Sequence, residues 1–219
     1  MRFLPLIFLF PSWLFCQTTG NLWIELGIKG DVTEKLSWDG EITNRFGPNG
    51  IERFFVQTGA KYKLTKWFRP SVDYRYSFDR DDYTNYMPSH RVMLNGNFEK
   101  DINKRWKTEF RLRYQYEFSQ FNRDYGYQQA VDHTLRFKPE IAYNIKDNPF
   151  TLNLGSELFY SLEAYNQYFY KVRVFLGTDV KLDDPLKIGI KYVFDHELFD
   201  KNNYPKIRHA IAVSFKYSI

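Results

Sequence analysis

The chain has 219 residues, 31 Lys and Arg against 26 Asp and Glu for a net charge of +5, 20% aromatic and 26% charged residues, one cysteine and a mean hydropathy of −0.54. A single cysteine excludes a disulfide framework and a cysteine-based zinc centre, and beyond the N-terminal segment no apolar run reaches the about 18 residues that a membrane-spanning helix needs. Many aromatics together with many charges suit thin, alternating strands better than a thick apolar core.

The first segment differs in kind from the rest. Arg2 precedes the apolar stretch FLPLIFLFPSWLF over residues 3–15, which is too short for a membrane helix and has the build of a secretory signal peptide. Cleavage after Cys16 is expected, so residues 1–16 leave and residues 17–219 form one domain. Phe15 is bulky where a lipoprotein signal takes a small residue, which argues against acylation of Cys16. The mature chain then has no cysteine, and with it no thiolate nucleophile.

From there on apolar and polar residues alternate with a period of two, the pattern of β-strands with one apolar and one polar face. The apolar positions run Leu22, Ile24, Leu26, Ile28 and Val32; Leu36, Trp38 and Ile42; Phe54, Val56, Ala60, Tyr62 and Leu64; and Phe68, Val72, Tyr74, Tyr76 and Phe78. Next come Val92, Leu94 and Phe98, then Trp106, Phe110, Leu112, Tyr114, Tyr116 and Phe118, and then Leu135, Phe137, Ile141 and Tyr143. Phe150, Leu152, Leu154, Leu158 and Tyr160 follow, and after them Val172, Val174, Leu176, Val180 and Leu182. The last two segments carry Leu186, Ile188, Ile190, Tyr192 and Phe194, and Ile211, Val213, Phe215, Tyr217 and Ile219. The opposite faces are polar, as in Lys107, Glu109, Arg111, Arg113, Gln115 and Glu117.

Connections alternate between short (33–35, 65–66, 101–105, 146–149, 183–185) and long (47–52, 79–89, 120–132, 163–168, 199–207). Aromatics cluster at both strand ends. Short turns at one rim, long loops at the other and two aromatic bands predict an all-β fold: an antiparallel up-and-down transmembrane β-barrel of about 10–12 strands, apolar face to lipid. The alternative is a soluble secreted β-barrel that binds an apolar ligand inside. It would have to hold large apolar residues from every strand in its interior, many of them aromatic, and small barrels instead mix small with large residues.

The reading counts eleven strands, whereas bacterial single-chain barrels have even numbers. Either the segment 22–33 lies outside the wall, or a partner strand is missed, or the first and last strands close the barrel in parallel.

The Trp23 strand–turn–strand opening, YRYS at 74–77, HRV at 90–92 and RLRYQ at 111–115 resemble the bacterial outer-membrane barrel family called domain of unknown function 2490. The resemblance spans nearly all of the mature chain. It implies the outer membrane of a Gram-negative cell and brings no catalytic residues to carry over.

Within this pattern four histidines, His90, His133, His196 and His209, share the outward parity at the long-loop ends. Ser89 adjoins His90, but neighbours along a strand face opposite ways, so they make no dyad. Asp195, His196, Glu197 and His209 offer zinc-type donors in a discontinuous run. Interfacial residues at headgroup level explain all of these more simply. No Gly-rich phosphate loop, Walker motif or GxSxG elbow is present, so no enzyme activity and no cofactor are expected. The positive charges sit beside nearly as many acidic ones, which argues against nucleic acid.

Arg75, Arg91, Arg111 and Arg113 share the inward parity on three consecutive strands. They would line an anion pathway or be tied into a salt-bridged plug by Asp73, Asp79, Glu109 and Glu117. Two registers are expected. Matching Leu186 to Ile219 sets His196 opposite His209 as a rim pair, and pairing Phe98 with Trp106 sets Arg91 opposite Arg113. The function expected is a closed or narrow polar-lumen barrel, structural or a minor porin-like channel for small polar or anionic solutes. An outer-membrane lipid-modifying enzyme is the alternative. Expected partners are outer-membrane lipid and, through the C-terminal strand, the barrel-assembly machinery. Oligomeric state is not legible.

Overall fold

A computed structural model describes residues 19–80, 85–119, 131–163, 167–182, 185–198 and 206–219. The expected signal peptide lies outside the described residues. The strands are β1 (Thr19–Asp31), β2 (Leu36–Gly47), β3 (Gly50–Tyr62), β4 (Phe68–Arg80), β5 (Tyr86–Asp101) and β6 (Trp106–Phe118), followed by β7 (Val131–Asn144), β8 (Phe150–Ser161), β9 (Phe169–Lys181), β10 (Leu186–Glu197) and β11 (Lys206–Ser218). Each pairs with its sequence neighbours in antiparallel fashion, and the sheet closes on itself.

Closure settles the parity problem. β1 pairs with β11 in parallel, from Thr19 opposite Arg208 to Lys29 opposite Ser218, so the described wall holds eleven strands and segment 22–33 belongs to it. The Ile219 N–H donates to the Lys29 carbonyl at 2.9 Å, which carries the seam to the last residue and leaves neither strand an open edge.

The faces follow the sequence pattern. Leu26, Val72, Leu94, Leu154, Leu176 and Ile190 stand exposed on the outside, whereas Trp23, Phe55, Met93, Phe159 and Phe175, on the opposite parity, are buried. Both aromatic bands are present. Trp67, Phe68 and Phe98 stack at the short-turn rim, with ring centroids 4.8–6.0 Å apart, and Tyr76, Phe78, His90 and Phe118 do so at the other.

Side chains that bond their own backbone hold the short turns. Thr33 Oγ1 accepts from the Leu36 N–H, Thr65 Oγ1 from the Phe68 N–H, and Asn103 Oδ1 from both the Arg105 and Trp106 N–H groups. Thr and Asn suit such turns because their short side chains reach a backbone group two or three residues away.

Three expectations need correction. The connection at 47–52 is not long: Gly47 faces Gly50 across a two-residue turn, where Gly50 takes φ +97°, a conformation without steric cost for glycine. A bulge beside Arg45 and Phe46 absorbs Glu52, whose carboxylate accepts from Asn21 at 2.9 Å.

The last hairpin is slid by two residues. Leu186 faces Tyr217 and Phe194 faces His209, while His196 faces Ile207. The Ser218 N–H donates to the Pro185 carbonyl and Ile219 bonds β1, so Ile219 belongs to the seam and not to the hairpin. His196 and His209 are thus diagonal, with the Phe194 ring next to both.

The β5–β6 register is slid by four. β5 continues to Asp101, which faces Lys107, and Phe98 faces Phe110. Arg91 therefore faces Glu117 rather than Arg113. The faces survive both slips because each is an even number of residues.

Candidate functional site: the barrel interior

Every strand sends at least one buried side chain inward. Around the wall these include Trp23, Thr43, Phe55, Arg75, Met93, Arg113, Arg136, Glu157, Phe175, Asp195 and Ala212. Exposure is 1% at Phe55, 0% at Met93, 4% at Arg113 and 2% at both Glu157 and Asp195. An open aqueous pore would leave its lining wet; this interior is packed.

Two kinds of contact fill it. The first is a run of alternating guanidinium groups and rings. Arg75 lies over Phe55 at 3.8 Å, Arg45 lies over Phe55 at 5.4 Å and over Trp23 at 4.0 Å, and Arg173 lies over Trp23 at 4.9 Å and Phe159 at 5.6 Å. Arg136 ends the run over Phe159 at 4.6 Å. Because β1 and β9 are not neighbours in the wall, Arg173 over Trp23 is a contact across the lumen. Guanidinium groups on ring faces keep a favourable electrostatic partner when water is gone.

The second is a set of ion pairs that also skip strands. Glu157 on β8 receives Arg136 at 2.9 Å from β7, Arg111 at 3.0 Å from β6 and Arg173 at 3.7 Å from β9. Arg113 on β6 reaches Asp73 on β4 at 2.9 Å and Asn95 at 2.5 Å. Asp195 takes Arg173 through two bonds of 2.5 and 2.8 Å, and Lys171 at 2.9 Å. Gly155 leaves the room this needs, since a Cβ there would stand 2.3 Å from the Phe175 ring.

The expected lumen residues are thereby placed. Arg75 bonds Gln57 Oε1 at 2.9 and 2.6 Å, Arg91 pairs with Glu117 at 2.7 Å and Asp79 at 3.4 Å, and Arg111 and Arg113 are paired as above. Glu109 does not join them; it pairs with Lys107 at 2.6 Å near the short-turn rim, 43% exposed. Like charges do face one another, at Arg75–Arg91, Arg113–Arg136 and Arg111–Lys138 among others, and the first two are offset by the carboxylates and amides just named. Arg45, Arg136, Arg173 and Glu157 were not singled out from the sequence, Asp195 was named only as a zinc-type donor, and of the four inward aromatics only Trp23 was named, for the family resemblance and not for the lumen. The signal for the aromatics is a break in alternation, an apolar residue between two apolar neighbours: LWI, FFV, LFY and VFL.

At the short-turn end the interior opens into a polar vestibule of about 520 Å³, lined among others by Lys29, Asp39, Lys61 and Arg69 and reaching as deep as Asp73, Asn95 and Arg113. The Asp73–Arg113 pair is part of its lining. Replacing Arg113 by serine strands the buried Asp73 carboxylate, and the expected loss is about 3 kcal/mol of unfolding free energy, within the range for breaking a buried pair, read from urea titration of the folded barrel in detergent.

The histidines lie elsewhere. His90, His133 and His209 face outward, each bonded through Nδ1 to a tyrosine hydroxyl, that of Tyr74, Tyr114 and Tyr192 in turn. Ser89 faces inward and bonds Ser77 at 2.7 Å. Asp195 and Glu197 are held inside by Arg173, Lys171 and Arg208, on the other side of the wall from His196 and His209. Among the described residues no cluster of His, Asp and Glu is arranged to hold a metal ion.

Comparison with known proteins bears on the fold. The β domain of the Bordetella autotransporter BrkA is similar in structure, with a TM-score of 0.52 and 10% identity over 85% of each chain. Among curated proteins none matches. The family described as "Protein of unknown function (DUF2490)" matches residues 20–204.

Proposed function

The chain belongs to that family of unknown function, and we propose that it serves in the outer membrane as a closed, structural β-barrel whose interior is a septum rather than a pathway. The packed lumen carries this reading, because buried side chains from all eleven strands meet and ion pairs and cation–π contacts skip over strands. The exposed apolar outside with its two aromatic bands supports a lipid environment, and the similarity to an autotransporter β domain supports the outer-membrane type of barrel. The role proposed is not catalytic: Ser89 and His90 face opposite ways, and both are bonded to other groups. Lipid and the assembly machinery are the partners in this reading, the latter engaging β11, the strand that makes the seam.

Two tests follow. The protein is expected to remain in detergent-extractable outer membrane after salt and alkaline washing and to migrate differently on gels before and after heating. Recovery as a soluble periplasmic protein contradicts the membrane reading. Liposomes carrying the folded barrel are expected to swell in sugars and small anions no faster than empty ones, and rapid swelling contradicts closure.

A further inference from the structure

Two apolar grooves cross the outward face from the short-turn rim, and a row of rings separates them. Phe68, Phe98 and Phe110 face one another across β4, β5 and β6, with successive ring centroids 4.8 and 6.1 Å apart. On one side of this ridge a groove of about 790 Å³ runs from Trp67 and Lys100 past Phe110 to Leu154 and Val174 at mid-strand. On the other side a groove of about 560 Å³ runs from Leu36 and Tyr62 past Gly96 to Tyr114 and Leu135. Small residues leave this room. Pro139 and Ser156 stand between larger neighbours in the first groove, and Ala60 and Gly96 do so in the second. Pro139 has no N–H to give the ladder, and the β7–β8 register breaks off between Phe137–Leu158 and Glu140–Gly155.

Positive charge gathers where the grooves meet the rim. The chain from 63 to 67 and from 100 to 105 carries Lys63, Lys66, Lys100, Lys104 and Arg105 against Asp101 alone, all of them exposed. The two stretches adjoin, since the Glu99 N–H donates to the Trp67 carbonyl at 2.9 Å. Among the described residues none of the five cations enters an ion pair, whereas Arg69 and Lys107 beside them both pair with Glu99. The rim elsewhere is balanced. The β1–β2 turn sets Asp31 and Glu34 against Lys35, and the β7–β8 turn pairs Lys146 with Asp147 at 3.8 Å.

We propose that this sector seats one anionic diacyl phospholipid of the leaflet at the short-turn rim, with one acyl chain in each groove and its phosphate on Lys66 and Lys100. The inference rests on the membrane reading above. A chain lying in a groove gains dispersion contacts from both walls that a flat face does not offer, and each cation beside an anionic headgroup strengthens association about fivefold. Together the two terms favour a lipid with two chains and a net negative headgroup over a zwitterionic one. A second copy of the chain is the poorer occupant. A two-fold axis along the membrane normal would bring its basic rim to the same level as this one, charge against like charge.

The full barrel, inserted in bilayers of equal phosphatidylglycerol and phosphatidylcholine and released for native mass spectrometry, tests this. The wild type is expected to retain one phosphatidylglycerol per barrel. K66Q/K100Q/K104Q/R105Q is expected to hold the two lipids equally, and Lys100→Gln alone to lower the preference about fivefold. Ser156→Trp keeps every cation, fills the first groove and is expected to lose the retained lipid. Lys146→Gln, which removes a rim cation outside the sector, is expected to change nothing. An inserted wild type that carries both lipids equally overturns the seat alone, as does release as a lipid-free dimer. A preference that survives in K66Q/K100Q/K104Q/R105Q overturns it too, and so does a lipid retained in Ser156→Trp; if those variants do not fold, an undiminished preference in Lys100→Gln does the same. A wild type that does not insert at all overturns the membrane reading and the seat with it.

Discussion

Glu157→Gln is expected to destabilise the barrel by about 3–5 kcal/mol, the cost of leaving buried charge without its partner. The substitution keeps the shape of the side chain and removes its charge, while Arg136, Arg111 and Arg173 all remain. Arg173 still has Asp195, so the cost falls on Arg136 and Arg111, whose ion pairs among the described residues are those with Glu157. Glu109→Gln is the comparison. Its carboxylate is 43% exposed and among the described residues pairs only with Lys107, and a surface pair of that kind is worth about 0–1 kcal/mol. Urea titration in detergent, followed by the gel shift between folded and unfolded forms, measures both. Similar midpoints for the two variants would show that the interior network does not hold the barrel together.

Leu112→Arg probes the other face. Leu112 lies midway along β6, points outward and is 38% exposed. Placed at a bilayer midplane, an arginine there costs about 2–4 kcal/mol. In a soluble barrel an exposed leucine exchanged for arginine changes stability by less than about 0.5 kcal/mol. The same unfolding assay separates the two, and Leu112→Phe is expected to be tolerated. Inward Gln115 is no neutral comparison, because its Oε1 accepts from Arg136 at 3.0 Å; a second guanidinium there repels the first.

How much of this was legible in the sequence follows from what repeats and what does not. The faces were legible, since a period of two needs no knowledge of partners: Leu26 outside and Arg113 inside follow from parity alone. Parallel closure was one of three options, chosen in the end by the pairing of Thr19–Lys29 with the last strand, a contact across the whole chain. Registers failed where a strand end was misjudged. β5 runs on through Glu99 and Lys100 to Asp101, polar residues that read as a turn, and Ile219 bonds β1 instead of β10. The interior was half legible. Arg75, Arg91, Arg111 and Arg113 stood out as a cluster of one type, but Glu157 and Trp23 acquire their meaning only from strands that face each other across the lumen. The Tyr–His pairs were missed for a related reason: the tyrosine and histidine are 16 to 19 residues apart and meet on a diagonal, which takes the true register to see.

Single-channel recording from the refolded wild-type barrel in a planar bilayer tests the central claim most directly. A septum built from Phe55, Trp23, Phe159 and the guanidinium groups between them predicts a membrane that stays silent once insertion is verified by the heat-dependent gel shift. Steady, anion-selective conductance that is lost in Arg113→Ser without a fall in thermal stability would contradict it, since positive lining residues set selectivity only where ions pass.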